Sequence, residues 1–343
     1  MTAAPDAGAL PWLAEPAHAI ATRQRGHALL VQGHPGGGVF ELALRVARTW
    51  LCETDGAALP CGRCTACHLL STNSHPDLRA LLPELTQVEL GWSVGGNAAP
   101  EAGDGESKGK KKPSREIKIE AVREAISWTQ KSSSRGRAKV LLLFPADAMN
   151  LVASNAMLKT LEEPPQGVRL LLVCEDAERL LPTLRSRCQR ILFAGPTPEQ
   201  ALTWLEGQGV ANAPVLLAAA GGHPLSARRL AADGFDAAAW IALPRRIADG
   251  RWDPPAGASV PRLREVLQKL CHDAMAVAAG SPPRYFPLSA LPPAAPWPKL
   301  ADWSQSLARL ARHDEHPFNA PLITDSLLAE AKAVWTKARG RAP

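Results

Sequence analysis

Two sets of residues in this 343-residue chain are spaced for chemistry. The first is Cys52-x8-Cys61-x2-Cys64-x2-Cys67. Its two overlapping C-x-x-C steps put three thiolates on one tight knuckle, and Cys52 supplies a fourth from upstream, the number that a tetrahedral zinc takes. Gly62 frees the backbone where the chain has to curl around a metal. A redox pair would need only two of these thiols, and a four-thiolate site leaves no open position for water or substrate, so the pattern points to structural zinc. His68 and His75 are close enough in sequence to be alternative ligands.

The second set is Gly33-His34-Pro35-Gly36-Gly37-Gly38-Val39-Phe40, between an apolar run ending at Gln32 and a segment with helical apolar spacing at Ala43, Val46, Ala47, Trp50 and Leu51. Strand, glycine loop and helix are the parts of a phosphate-binding P-loop, G-x-x-x-x-G-K-[ST]. In that motif the lysine reaches the terminal phosphates and the hydroxyl holds Mg²⁺. Here Gly33, Gly36 and Gly38 keep the frame, but Val39 stands at the lysine position and Phe40 at the hydroxyl position. A second loss matches the first. The apolar run Lys139–Phe144 reads as a buried parallel strand, whose counterpart in a P-loop ATPase ends in Asp-Glu to hold Mg²⁺ and orient water. Those places hold Phe144 and Pro145.

The elements around these residues alternate. Apolar runs ending at Gln32, over Leu78–Leu82, Lys139–Phe144, Val168–Cys174 and Arg190–Phe193 read as strands. Helical spacing marks Ala17–Arg25, Phe40–Leu51, a face at Val122, Ala125, Ile126 and Thr129, and the stretch from the N-cap Asn150 to Glu163, which Pro164 and Pro165 stop. Alternation of this kind predicts a doubly wound parallel sheet. Residues 91–114 are rich in Gly, Ala, Pro and Lys without periodicity and read as a mobile surface insertion. Its lysines suit a solvated loop better than a DNA-touching tail. After Pro196 only helical patterning remains, over residues 199–208, 213–220 and 225–232. A last third follows with Trp303, Leu307 and Leu310 on one helix face, which a packed bundle explains.

Composition sets the frame. Of the residues, 46% are hydrophobic and 21% charged, ordinary for a chain with a real core. The net charge of +6 is partly local, because Lys108, Lys110, Lys111 and Lys112 share one run. It is therefore weak evidence for nucleic acid. No stretch nears the roughly 20 apolar residues of a membrane span, and Met1–Leu10 carries no signal pattern. Clustered cysteines then read as ligands, lone Cys174, Cys188 and Cys271 as small core residues, and the cytoplasm as the compartment.

Four features together resemble the clamp-loader branch of the AAA+ ATPases: the glycine loop, the cysteine module after its helix, N-A-M-L-K-T-L-E-E-P-P over residues 155–165, and Ser186-Arg187-Cys188. They occur in that family's order from Gly33 to Cys188. The resemblance implies an α/β, AAA+-like parallel-sheet domain over residues 1–195, with a zinc module at 52–67 and the insertion at 91–114. A small helical lid domain at 196–236 and a C-terminal all-helical oligomerisation collar at 237–343 would follow. Motor subunits of the family keep the residues that this chain lacks at Val39, Phe40, Phe144 and Pro145, and carry an arginine where it has Pro224. The pattern looks like the subunit type that keeps the fold without hydrolysing ATP.

In such a subunit Arg187 of the Ser-Arg-Cys triplet would reach across the interface to ATP held by a neighbour. Ser186 would stand beside it, and Arg185 is a further candidate. The implied cofactor is structural zinc on Cys52, Cys61, Cys64 and Cys67, with no nucleotide expected at Gly33 to Phe40. The implied partners are an ATPase motor subunit and a delta subunit in a five-subunit ring, with the sliding clamp and primer-template DNA met through the complex. Two other readings are an active AAA+ motor and a free-standing zinc-containing DNA-binding protein. The first needs a lysine, and none lies between Gly33 and Leu51. The second lacks a basic recognition helix beside Arg63.

Overall fold

The computed structural model describes residues 10–24, 26–56, 60–92, 113–252, 259–311 and 319–336. They fall into two compact units divided between Gln200 and Ala201. The insertion expected at residues 91–114 lies almost wholly outside the described residues.

The first unit runs through α1 (Ala14–Arg23), β1 (Ala28–Gln32), α2 (Val39–Leu51), α3 (Thr65–Ser71), β2 (Leu78–Leu81), α4 (Glu84–Leu90) and α5 (Ile119–Thr129). It continues with β3 (Lys139–Leu143), α6 (Leu151–Glu162), β4 (Val168–Cys174), α7 (Pro182–Arg185) and β5 (Gln189–Leu192). The five strands form one sheet in the order β2-β3-β4-β1-β5, every pair parallel. The predicted α/β alternation is thus the observed one. Apart from Lys139 and Arg169 near their starts, strands β3 and β4 are apolar because helices cover both faces there, whereas β5 ends the sheet with Gln189 and Arg190 exposed. One apolar cluster joins Leu30, Leu141, Leu143, Leu170 and Leu172 of the sheet to Val122 and Ala125 of α5 and Met157 and Leu161 of α6. Burying each leucine contributes about 1.5–3 kcal/mol.

Helix α6 begins as its sequence requires, with the Asn150 side chain accepting from the Ala153 N–H at 3.0 Å. Its apolar face is buried, and Glu162 at its last turn points out beside Pro164 and Pro165. Differences from the expected elements are local. Helix α1 starts three residues early because a 3₁₀ turn at Pro11–Leu13 leads into it. Helices α3, α4 and α7 are four to seven residues long, too short for a periodic signal.

One buried carboxylate ties the sheet to the cysteine module. Asp77, fully buried just before β2, accepts the backbone N–H of Ser134 at 2.8 Å and of Arg135 at 3.0 Å. The turn so fixed lets Arg135 donate from Nε to Glu53 at 2.7 Å, and Arg137 donate to the Glu53 carbonyl at 2.7 Å and pair with Asp55 at 3.0 Å. Replacing Asp77 by Ala strands those N–H groups, and about 3 kcal/mol of stability is expected to go with them, read as a lowered urea midpoint.

The second unit is helical: the remainder of α8 (Pro198–Gly207), then α9 (Ala213–Ala219), α10 (Pro224–Ala232), α11 (Ala237–Ala248), α12 (Val260–Ala278), α13 (Trp297–Ala311) and α14 (Ala320–Trp335). A cluster of Ala219, Trp240, Leu263, Leu267, Leu270, Leu300, Trp303, Leu307 and Leu327 holds α9 and α11–α14 together, so the face expected at Trp303 and Leu307 is the packed one. Within it Asp273 accepts the N–H groups of Arg284, Tyr285 and Phe286, each at 2.8 Å. Among the described residues no helix is long and apolar enough to cross a membrane.

Candidate functional site

The C-terminal ends of the parallel strands bring the glycine loop, Phe144 and Glu175 to one edge of the sheet, where α/β folds place ligands. The loop closes on itself. Gly33 donates its N–H to the Cys174 carbonyl at 3.0 Å, Gly36 to His34 Nδ1, Gly37 to the His34 carbonyl and Gly38 to the Pro35 carbonyl, each at 3.0 Å. A P-loop turns such amides toward phosphate. Here these four are spent inside the chain. Gly38 takes φ +97°, which an L side chain adopts with strain, and a Cβ on it would meet Leu10, Leu13 and Trp12 at 3.4–3.7 Å. Trp12 donates its indole N–H to the Gly37 carbonyl at 3.0 Å and lies over the loop.

The substituted positions touch one another. The rings of Phe40 and Phe144 lie 4.9 Å apart between centroids, and Trp92 meets Phe40 edge-on at 5.6 Å. Val39 is 0% and Phe40 2% exposed. Apolar packing occupies the ground on which the motif's lysine, hydroxyl and strand carboxylate would cooperate. Val39→Lys alone would bury an ammonium without a partner. It is expected to cost about 3 kcal/mol of stability without producing ATP binding, read by thermal melts with and without Mg-ATP.

The cysteine module lies elsewhere, at the C-terminal end of α2 and the start of α3. All four Sγ atoms lie within 4.8 Å of one another, and the closest pairs are 3.8–3.9 Å apart. A tetrahedron with metal–sulfur bonds of about 2.3 Å has sulfur edges of about 3.8 Å, so the donor set fits a zinc-like ion. The sulfurs accept backbone N–H groups in sequence: Cys61 N–H to Cys52, Cys64 N–H to Cys61 and Cys67 N–H to Cys64, at 3.4–3.5 Å. Gly62, at φ +71°, makes the curl its position predicts. Hydrogen bonds, first from the Thr54 hydroxyl and then from backbone N–H groups, hold the Cys61 thiol down at about 5, while burial pushes Cys67 up to about 12. Neither His68 nor His75 joins the cluster. The His75 ring instead accepts the Asp77 N–H at 3.1 Å. Burial also pushes the thiols of Cys174 and Cys271 up to about 12, as expected of core residues.

Arg187 follows α7, separate from both clusters. Its Nε donates to Glu162 at 2.7 Å and its Nη2 pairs with the same carboxylate. Its Nη1 donates to the Thr183 carbonyl at 2.8 Å and reaches the Ser186 hydroxyl at 3.4 Å. The side chain remains 34% exposed. Arg185 is turned to another partner, Glu178, and is less exposed. Pro224 is the buried first residue of α10. Sequence reasoning missed Trp12, Trp92 and Glu162. Glu162 carries no local signal of this contact, because Arg187 lies 25 residues further along the chain.

The sequence model of the family described as "DNA polymerase III, delta subunit" matches residues 13–197, ending just before the division between the two units. DNA polymerase III subunit delta' of Pseudomonas aeruginosa is 36% identical over 216 residues, 62% of this chain and 57% of that protein. Its namesake from Escherichia coli is 35% identical over 204 residues, 58% of this chain and 53% of that protein. DNA polymerase III subunit tau of Escherichia coli is 31% identical over 180 residues, 52% of this chain and 23% of that protein. The chain thus spans little more than half the length of the delta' relatives it matches.

Proposed function

We propose that the chain, which belongs to the family described as DNA polymerase III, delta subunit, serves as a clamp-loader subunit of the delta-prime type, a stator that hydrolyses no ATP of its own. The observation that carries this reading is the packing of Phe40 on Phe144 at 4.9 Å, which ties the two lost halves of the nucleotide machinery into one apolar plug. The loop amides spent inside the chain support it further. The subunit's chemical contribution is then Arg187, given to the ATP of a neighbouring motor subunit. A guanidinium suits that task because it is always charged and its planar fork matches phosphate oxygens.

The cycle runs through partners. ATP bound by the motor subunit draws its interface onto the Arg187 face of this rigid domain, and the five-subunit ring then holds the sliding clamp open at primer-template DNA. Hydrolysis at the motor's site removes that phosphate contact and releases the clamp. Residues 196–236 act as a lid-like domain and 237–343 as the collar that joins the ring. Zinc, when bound by Cys52, Cys61, Cys64 and Cys67, supplies a rigid knuckle and no reaction. Glu53, Arg135 and Arg137 pin that knuckle to its own chain, which favours a scaffold over a DNA reader. The cytoplasm, where thiols stay reduced, is the matching compartment.

Reconstitution tests the reading. The chain is expected to copurify with motor and delta subunits as one complex. The ATPase of that complex should vanish when the motor's loop lysine is replaced and persist when Gly36 and Gly37 of this chain become alanine. A complex that forms without this chain and turns over ATP at the same rate would defeat the proposal.

A further inference from the structure

The arginine that the proposed function sends to a neighbour is already engaged within its own chain. Two of its nitrogens, Nε and Nη2, converge on Oε1 of Glu162, and Nη1 takes the last-turn carbonyl of Thr183. The Nε/Nη2 edge is one that a guanidinium offers to a carboxylate or phosphate in two-point recognition. A phosphate approaching Arg187 therefore meets an occupied edge and a carboxylate of its own sign.

Glu162 is the last residue of α6, where the helix dipole disfavours a negative side chain, so the pair with Arg187 offsets a cost that the acid would otherwise carry. Both members are partly exposed, 34% for Arg187 and 48% for Glu162, and pairs of that exposure are weak enough to exchange. Arg185 differs, being only 20% exposed and paired with Glu178 on its own stretch of chain.

We propose that Glu162 is a positioning residue that holds Arg187 in cis until the neighbour's phosphate displaces it, which makes delivery of the arginine a competition between carboxylate and nucleotide. The inference rests on the reading of Arg187 as a trans arginine. Its consequence is that ATP binding at the shared interface carries the cost of opening the pair. With the carboxylate gone, the guanidinium stays in place through Thr183 and Ser186 but meets phosphate without a rival.

The test uses the loader reconstituted with full-length subunits, with Mg-ATP as the ligand. Glu162→Gln is expected to lower the KM for ATP about threefold, the scale on which exposed ion pairs act, and to change kcat less than KM. Glu162→Asp, which keeps the charge, should return KM toward the wild-type value. The fall in KM should be absent when Arg187 is already alanine. An E162Q loader whose KM is unchanged or raised, or whose kcat alone falls, overturns the competition. The arginine's role is judged separately: Arg187→Ala slowing the loader while E162Q leaves KM unmoved sinks only the part given to Glu162. An Arg187→Ala loader of undiminished rate sinks both.

Discussion

Arg187→Ala is expected to slow hydrolysis at the motor site beside this subunit by about a thousandfold or more, the contribution of an arginine supplied in trans. That corresponds to about 4 kcal/mol of transition-state stabilisation. The fold should hardly notice. The side chain is one-third exposed and its pair with Glu162 lies near the surface, so its removal costs at most about 1 kcal/mol of stability. In a loader with several motor sites, single-turnover hydrolysis then splits into fast and very slow fractions, while the DNA-stimulated steady-state rate falls by at least the share of the affected site. Lysine should rescue little, because its point charge lacks the planar fork. Arg185→Ala is the control: its partner is Glu178, and the loader's rate should stay near wild type. An unchanged rate in Arg187→Ala with a lowered rate in Arg185→Ala would move the role to Arg185.

The second large effect is expected at the cysteine module. Cys64 is a ligand candidate and also the N-cap of α3, its sulfur accepting the Cys67 N–H at 3.4 Å. Serine is itself a favoured N-cap, so Cys64→Ser keeps the cap while removing one thiolate, and what is lost is the metal's contribution. Metal analysis is expected to fall from about one zinc per chain to near zero. Structural zinc supplies about 10–16 kcal/mol in isolated finger peptides. Here Glu53, Arg135 and Arg137 hold the knuckle as well, so a smaller loss of about 3–5 kcal/mol is expected, read as a lowered urea midpoint. Cys52 closes the C-terminal end of α2, so hydrogen exchange should accelerate first there and in α3, ahead of β3 and β4. A wild-type chain that folds fully and carries no metal would remove zinc from the account.

What the residues reveal in advance depends on the range of the physics. Strands β3 and β4 are legible because burial on both faces demands continuous apolar runs, and α6 because Asn150 and the pair Pro164-Pro165 fix its ends locally. The cysteine module is legible because ligand spacing is a covalent constraint on a short loop. Trp12 and Trp92 were not. They reach the glycine loop from 25 and 52 residues away in sequence from Gly37 and Phe40, and nothing in their neighbourhoods signals that contact. Val39, Phe40 and Phe144 could be read one by one as losses, yet that two of them pack on each other is a tertiary fact. Glu162 illustrates the same limit, since its place at the end of α6 is local while its partner lies beyond β4.

The claim at the centre is that chemistry has left the glycine loop and resides in Arg187. Equilibrium ATP binding and turnover by the purified chain alone test it most directly. With Mg-ATP at millimolar concentration, neither bound nucleotide nor released phosphate above background is expected. Turnover by the isolated chain that disappears when a residue between Gly33 and Phe40 is changed would contradict it.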